Sequence, residues 1–151
     1  MLISLSLGSV MIVANMGIQV FALVLLIRYF LRKMAVDAGV PSVGEDVWNI
    51  SLVLLVLFAG HVAQFATWAA LFCVLGEFSD FETAFYHSTV NFAALGYGDI
   101  VMSPKWRLLG GLEAANGVMM FGLTAGTILS VMNRQFSRRI QAGTWKHGDR
   151  H

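Results

Sequence analysis

The sequence carries little charge, and its two signs nearly cancel. Only 13% of the 151 residues are charged, whereas a soluble domain has about 25%, so the chain has too little charge to cover a soluble fold. Ten basic and nine acidic residues give a net charge of +1, which argues against a nucleic acid partner. The single cysteine, Cys73, excludes an intrachain disulfide and a two-cysteine redox motif. With 57% hydrophobic residues, this composition indicates a membrane protein.

The sequence patterns of an enzyme are also missing. There is no metal-ligand spacing such as His-Glu-x-x-His, and no predicted helix carries a Ser/His or Asp/Asp pair. No helix has arginine at every third position, as a voltage sensor would. We therefore expect no catalysis, no cofactor and no small-molecule substrate.

Long uncharged stretches separate the charges that are present. No charge precedes Arg28, none lies between Asp46 and Glu77, and only Glu113 interrupts the last stretch. A helix needs about 20 mainly apolar residues to cross the hydrocarbon core of a membrane. The sequence therefore predicts three transmembrane helices, near 6–28, 48–75 and 108–133.

The basic residues indicate how these helices are oriented. Eight of the ten follow the first or the third predicted helix, and only Lys105 and Arg107 do not. Because basic residues collect in cytoplasmic segments, this predicts an outside N-terminus and a cytoplasmic C-terminus in the cell (plasma or inner) membrane. The first helix lacks the basic n-region of a signal peptide, so we expect it to be retained as an anchor.

The segment between the second and third helices is too apolar for a solvated loop. Ser79 and Glu82 have the spacing of a capping box with Ser79 as the N-cap, which predicts a helix near 80–93. Such a helix is about 20 Å long and suits a re-entrant helix rather than a membrane span. The residues that follow, 93–99, read Ala-Ala-Leu-Gly-Tyr-Gly-Asp. The two glycines permit positive φ angles, so an extended strand can point its carbonyls one way.

The order of helix, short pore helix, Leu-Gly-Tyr-Gly-Asp and second helix resembles the pore domain of the potassium channel superfamily. The resemblance covers about 48–133, including an inner-helix start at 106–109 and a hinge-glycine stretch at 116–123. It implies an all-α transmembrane fold, with three transmembrane helices, a re-entrant pore helix and a selectivity-filter loop, assembled as a tetramer. The predicted segments are an N-terminal helix, a cytoplasmic linker, the pore domain and a basic cytoplasmic tail, at 1–33, 34–47, 48–133 and 134–151.

The resemblance also implies a function, potassium conduction by a homotetramer in the lipid bilayer. Each chain supplies one loop, so a closed ring of ion ligands needs four copies. By resemblance, the stacked potassium sites are formed by backbone carbonyls of Ala94, Leu95, Gly96 and Tyr97, with Gly98 completing the filter. Permeant K⁺ is then the ion held by the site.

Two residues depart from the pattern of the family. Relatives usually have Thr-Thr where this chain has Ala93 and Ala94, and Ala94 cannot give a hydroxyl to the innermost site. Leu95 stands in place of the usual Val or Ile. We expect potassium preference to survive in weakened form, or conductance to be altered. A nonselective cation channel and a non-conducting scaffold or regulatory subunit remain as alternatives.

Side chains around the filter have roles implied by the same resemblance. Tyr86 is expected to bond Asp99, and His87 to bond Tyr97, so that the strand is held open; mere packing of both is the alternative. Val90 stands where some relatives have an acidic residue. Four copies of Asp99 at the outer mouth would concentrate cations. Other acids near this mouth either do the same or cap the pore helix and solvate the loop: Glu77, Asp80 and Glu82.

The inner helix contains the expected hinge and gate. By resemblance Gly117 takes the hinge position, while Gly122 and Gly126 form a small-xxx-small pair suited to close helix packing. Either Leu129 or Met132 is the expected gate. The face expected to line the inner cavity consists of Val118, Phe121, Ala125, Leu129 and Met132.

Several other side chains within the predicted helices have expected partners. Glu113 is a carboxylate within a membrane span, and its simplest account is a pairing with Arg107, Ser88 or Thr89, although a functional role stays open. The polar residues of the second helix are expected to make an interhelical hydrogen bond, with a pH-sensor role as the alternative for the histidine: His61 and Gln64. Three tryptophans near helix ends are expected to be interfacial anchors: Trp48, Trp68 and Trp106.

Overall fold

Four helices make up the part of the chain that the computed structural model describes, residues 1–36 and 42–148. They are α1 (Leu2–Val36), α2 (Val43–Val74), α3 (Phe81–Phe92) and α4 (Arg107–Gly148). Three of them are long and apolar enough to cross a membrane, at Leu2–Lys33, Val43–Val74 and Arg107–Arg138. The prediction of three transmembrane helices and one short helix between the second and third is therefore confirmed.

The long helices extend further than the uncharged stretches predicted. α1 continues to Val36 and α2 begins at Val43, so both enter the predicted linker, whose residues 37–41 lie outside the described part. α4 continues past 133 into the predicted tail, as far as Gly148. α2 starts early because Ser42 caps it. The Ser42 hydroxyl accepts from the Glu45 N–H at 3.3 Å, and the Glu45 carboxylate accepts from the Ser42 N–H at 2.8 Å.

α2 lies at the centre of the molecule and packs against all three other helices. Its second half forms an aromatic core with α3 and α4, built by Phe65, Trp68, Phe72, Phe92, Leu109 and Met120. Trp68 is fully buried in that core, so the prediction that it is an interfacial anchor is wrong. Trp48 is 63% exposed, as an anchor would be. The difference arises because Trp68 lies in a core to which α3 and α4 also contribute side chains.

Polar side chains join α1 to α2 and α4 near the middle of the bundle. Gln64 donates to Gln19 Oε1 at 2.8 Å, and Gln19 donates to Thr124 Oγ1 at 3.0 Å. The His61 Nε2 atom lies 3.0 Å from the same Thr124 hydroxyl. The interhelical hydrogen bonds expected of His61 and Gln64 are therefore present. Because these groups are buried in an apolar bundle, they fix the rotation of α1 against its neighbours.

Two glycines allow helices to approach each other closely. A Cβ atom on Gly117 would overlap the carbonyl oxygen of Phe92, and a Cβ atom on Gly8 would overlap the side chain of Leu112. By contrast, a Cβ atom on Gly122 or Gly126 would meet no atom within 4 Å. The prediction that these last two glycines pack helices together is thus wrong within one chain.

Candidate functional site

The short helix α3 leads directly into the 93–99 loop. Its N-cap is Asp80, whose side chain accepts from the Thr83 N–H at 2.7 Å, so the prediction of Ser79 as N-cap is wrong by one residue. This bond stabilises the ionised carboxylate and lowers the pKa of Asp80 below its ordinary value. The C-terminal end of α3, which carries the negative end of the helix dipole, precedes the loop. A cation held by the loop would be favoured by that dipole.

The backbone of the loop alternates between left-handed and ordinary φ angles. Ala94, Gly96 and Gly98 have φ angles of 55°, 64° and 73°, whereas Leu95 and Tyr97 between them do not have positive φ. In a regular strand, successive residues face opposite sides. A left-handed residue at every second position departs from that regular geometry.

Ala94 takes part in this pattern without being a glycine. Its left-handed φ costs about 1–2 kcal/mol for a residue with a Cβ atom. The conformation ends α3 in a Schellman motif, in which the Ala94 N–H donates to the Asn91 carbonyl oxygen at 2.9 Å and the Leu95 N–H donates to the Val90 carbonyl oxygen at 3.0 Å. The glycines made the left-handed conformation foreseeable at 96 and 98, whereas no feature of the sequence indicated it at Ala94.

In a single chain, large side chains of the 93–99 loop are exposed. Leu95 is 52% exposed and Tyr97 is 66% exposed. Both side chains are large and largely apolar, so burial of this exposed surface would be favourable. The exposed loop surface is available to further copies of the chain.

Tyr86 supports the end of the loop as the sequence predicted. Its hydroxyl donates to Asp99 Oδ2 at 2.7 Å. The bond stabilises the charged form of Asp99 and the neutral form of Tyr86. It therefore lowers the pKa of the Asp99 carboxyl and raises the pKa of the Tyr86 hydroxyl.

His87 supports the loop through a different residue from the one predicted. Its Nδ1 atom lies 3.2 Å from the carbonyl oxygen of Ile100, so the prediction of a bond to Tyr97 is wrong within one chain. The imidazole packs against Phe72 and Phe78, with ring centroids 5.7 Å and 5.0 Å away. Burial among these rings disfavours the charged imidazolium and lowers the pKa of His87.

Glu113 of α4 joins the back of α3. Its carboxylate accepts from the hydroxyl of Ser88 and from Asn91 Nδ2, the latter at 2.7 Å. Of the three partners predicted, Ser88 is confirmed. Thr89 instead donates to its own helix backbone, at Phe85. Asn91 was not predicted as a partner, although its spacing of three residues from Ser88 places both on one helical face.

In this chain, the carboxylate that contacts α3 comes from α4, whereas some relatives have an acidic residue on the pore helix itself, at the position of Val90. Val90 puts no carboxylate at this position of α3, but Glu113 brings one to α3 from the neighbouring helix and is fully buried there. Since a buried carboxylate must have hydrogen-bond donors, its two bonds set the position of α3 relative to α4. Gly117 stands one turn further along α4, where the Phe92 carbonyl rests against it.

Glu77 ties the end of α2 to the segment after the loop. Its carboxylate accepts from the backbone N–H of Ser103 and from the Ser103 hydroxyl, the latter at 2.8 Å. The expectation that Glu77 lines the outer mouth or solvates the loop is therefore replaced by a structural role. No signal in the sequence links two residues 26 positions apart.

The predicted cavity face of α4 is not covered by the chain itself. Val118 and Leu129 are 60% and 59% exposed, and Phe121 and Met132 are each 38% exposed. The ring of Phe121 also contacts His61, at a centroid distance of 4.8 Å.

Within residues 1–36 and 42–148, no group of three or more His, Cys, Asp or Glu side chains could hold a metal ion.

Residues 51–134 match a family model described as "Ion channel". These residues cover more than half of the chain and include all of α3 and the loop, while α1 lies outside the match. No curated protein and no solved structure matches the chain.

Proposed function

The chain belongs to the ion channel family, and from that premise we propose that four copies of it form a potassium-conducting channel. The observation that carries the proposal is the alternating backbone of the loop, with left-handed φ at Ala94, Gly96 and Gly98. Membership of this family identifies the chain as an ion channel protein, and its long apolar helices are able to span a membrane. The choice of ion and the number of subunits are the proposed parts.

Conduction by this loop depends on its carbonyl oxygens. A potassium ion entering a narrow pore loses its hydration water, and a ring of carbonyl oxygens at suitable spacing replaces that water. In the proposed tetramer, the carbonyls of Ala94, Leu95, Gly96 and Tyr97 supply successive rings, one oxygen per subunit. The exposed surfaces of Leu95 and Tyr97 are then covered by neighbouring subunits.

Charge at the two ends of the loop favours a cation. The negative end of the α3 dipole lies before Ala94, and the ionised Asp99 follows Gly98. Four copies of each would produce a negative potential along the pore axis, which raises the local concentration of cations. The same arrangement disfavours anions.

The proposed orientation in the cell membrane rests on the basic residues. Arg28, Arg32 and Lys33 stand near the C-terminal end of α1, and Arg134 and Arg138 stand at the same end of α4. We place this end, called here the basic end of the bundle, in the cytoplasm. The N-terminus of α1 and the loop then face the outside.

A nonselective cation channel is the second candidate, and Ala94 is the residue that favours it. The methyl side chain offers no hydroxyl oxygen at the innermost ring, so that ring has only four carbonyl oxygens from the protein. A site with fewer ligands discriminates less between K⁺ and Na⁺, because water completes the coordination of either ion.

The test compares potassium and sodium flux in vesicles that contain the purified protein. The wild-type chain is expected to carry K⁺ faster than Na⁺. Ala94→Ser restores a hydroxyl without the β-branch that a left-handed φ disfavours, so it is preferred to Ala94→Thr. The serine variant adds one hydroxyl per subunit and is expected to have a higher K⁺/Na⁺ ratio, and each ~1 kcal/mol by which these oxygens favour K⁺ over Na⁺ raises that ratio about fivefold.

Ala94→Gly is the matched control, because it relieves the backbone strain without adding an oxygen. If the glycine and serine variants change selectivity equally, the hydroxyl explanation is wrong. Equal wild-type fluxes of K⁺ and Na⁺ would favour the nonselective channel. No flux of either ion, in protein that native mass spectrometry shows to be tetrameric, would favour the scaffold or regulatory subunit.

A further inference from the structure

A groove opens between α1 and α4 toward the basic end of the bundle. It encloses about 500 Å³, which is within the range of small-molecule sites. α1 contributes Leu26 and Phe30 to its walls, and α2 contributes Val53. On the α4 side the groove exists because Gly122 and Gly126 have no side chains, and the space beside them is open.

The dimensions of the groove limit what can occupy it. Its lining on α4 runs from Gly122 to Arg134, which is about 18 Å of helix. One leaflet of a membrane has a hydrocarbon thickness of about 15 Å, half of the whole core. The groove therefore extends from the middle of the membrane to one surface, along the length available to a lipid chain.

The width of the groove decides whether a lipid chain or a helix can occupy it. A volume of about 500 Å³ for the centres of water molecules, spread over about 18 Å, corresponds to a groove about 9 Å wide between its walls. An α-helix with its side chains is about 10–12 Å in diameter, so a helix from a second copy of the chain does not fit inside. A single acyl chain is narrow enough to do so.

The chemistry of the lining changes along its length. Most of the lining is apolar, and its polar residues are all on the later turns of α4: Thr127, Ser130 and Arg134. Arg134 stands at the basic end, where α1 also brings the exposed side chains of Arg28 and Arg32. A guanidinium group binds phosphate oxygens in a two-pronged geometry, and several positive charges favour an anionic headgroup.

We propose that this groove binds one anionic phospholipid, with an acyl chain against Gly122 and Gly126 and the phosphate at Arg134. The apolar length and the positive mouth match the two parts of such a molecule. The site lies partly on α1, which is outside the matched family region. It requires no ion conduction, so it is independent of the proposed channel activity.

The experiment measures lipid bound to the purified full-length chain. The protein is reconstituted in vesicles of equal phosphatidylcholine and phosphatidylglycerol, extracted in mild detergent, and its retained lipids are counted by native mass spectrometry. We expect the wild type to retain one phosphatidylglycerol per chain. Arg134→Gln should reduce the preference for phosphatidylglycerol about fivefold, whereas Arg134→Lys should keep most of it. Gly126→Leu should abolish retention of either lipid.

Matched controls separate the groove from general effects of charge and bulk. Arg138→Gln removes the same charge one turn further along α4, outside the groove lining. Gly17→Leu adds the same side chain to α1 at an exposed position with no atom within 4 Å. Both controls should retain phosphatidylglycerol as the wild type does.

Three results would overturn the proposal. The first is equal lipid preference in Arg134→Gln and Arg138→Gln. The second is lipid retention by Gly126→Leu equal to that of Gly17→Leu. The third is a changed number of chains per assembly in Gly126→Leu, which would make the groove a subunit contact. If Gly126→Leu does not fold, the two arginine variants still decide. Since no flux is measured, failure of this proposal is distinguishable from failure of the channel proposal.

Discussion

Replacement of Gly117 by alanine tests what this glycine does in α4. If the residue serves only as a flexible hinge, alanine should stabilise the resting protein, because alanine is favoured over glycine within a helix by about 1 kcal/mol. The structure predicts the opposite. A Cβ atom at 117 would overlap the carbonyl oxygen of Phe92 and lie 2.7 Å from the carbonyl carbon. Those two atoms belong to backbone, which cannot rotate out of the way as a side chain can.

The magnitude follows from two opposing terms. Forcing extra atoms into a packed site costs about 1–3 kcal/mol and occasionally more. The overlap with Phe92 requires α3 to move away from α4, so we take the upper part of that range. After subtraction of the helix preference, Gly117→Ala should destabilise each chain by about 2 kcal/mol. Gly122→Ala, which meets no atom within 4 Å, should gain up to about 1 kcal/mol.

The assay is thermal unfolding of both purified variants in the same detergent, followed by tryptophan fluorescence. The fully buried Trp68 reports loss of the core between α2, α3 and α4. A gap of about 3 kcal/mol between the variants should separate their midpoints by roughly 6–12 °C, at about 2–4 °C per kcal/mol. The reasoning is refuted if Gly117→Ala unfolds at or above the wild-type temperature, because the close approach would then not exist.

Two further predictions concern the groups behind the loop. Glu113→Ala removes the hydrogen-bond acceptor of Ser88 and Asn91 and should destabilise the chain by about 2–4 kcal/mol in chemical unfolding. As the control, Glu82→Ala removes an exposed carboxylate and should cost less than about 0.5 kcal/mol. Similar costs for both variants would contradict the buried network. Burial lowers the pKa of His87, so below the ordinary pKa of 6.5 the unfolded chain binds a proton that the folded ring does not. Wild-type melting temperature should therefore fall between pH 7.5 and pH 5 more steeply than that of His87→Phe, and parallel pH profiles would contradict this interpretation.

The sequence predicted the membrane helices because their signal is local. A run of apolar residues identifies a span whatever it packs against, and the three runs reappear in α1, α2 and α4. The boundaries were less predictable. The capping box of Ser42 and Glu45 lies among charged residues, so a search for uncharged stretches could not find the start of α2 there. At α3, Ser79 and Asp80 can both cap a helix, and only the backbone geometry selected Asp80.

The partners of polar side chains were predicted only in part. Tyr86 donates to Asp99 as expected, whereas His87 lies within hydrogen-bond distance of the Ile100 carbonyl oxygen instead of Tyr97. The apolar pattern predicts α1 only as an anchor, although Asn15 and Gln19 lie four residues apart on one of its faces. That spacing was a signal for a polar contact with another helix, since it places both side chains on the same stripe.

The sequence by itself determined where the chain crosses the membrane and where its backbone can become left-handed at glycine. Both properties depend on residues adjacent in the chain, through apolar length and the missing Cβ atom. Only the tertiary structure decided that Glu113 holds α3, that Phe92 rests on Gly117, and that α1 and α4 enclose a groove. These features depend on the rotation and register of helices far apart in sequence. The packing of many side chains together sets that rotation and register, so neither can be predicted from residues adjacent in the chain.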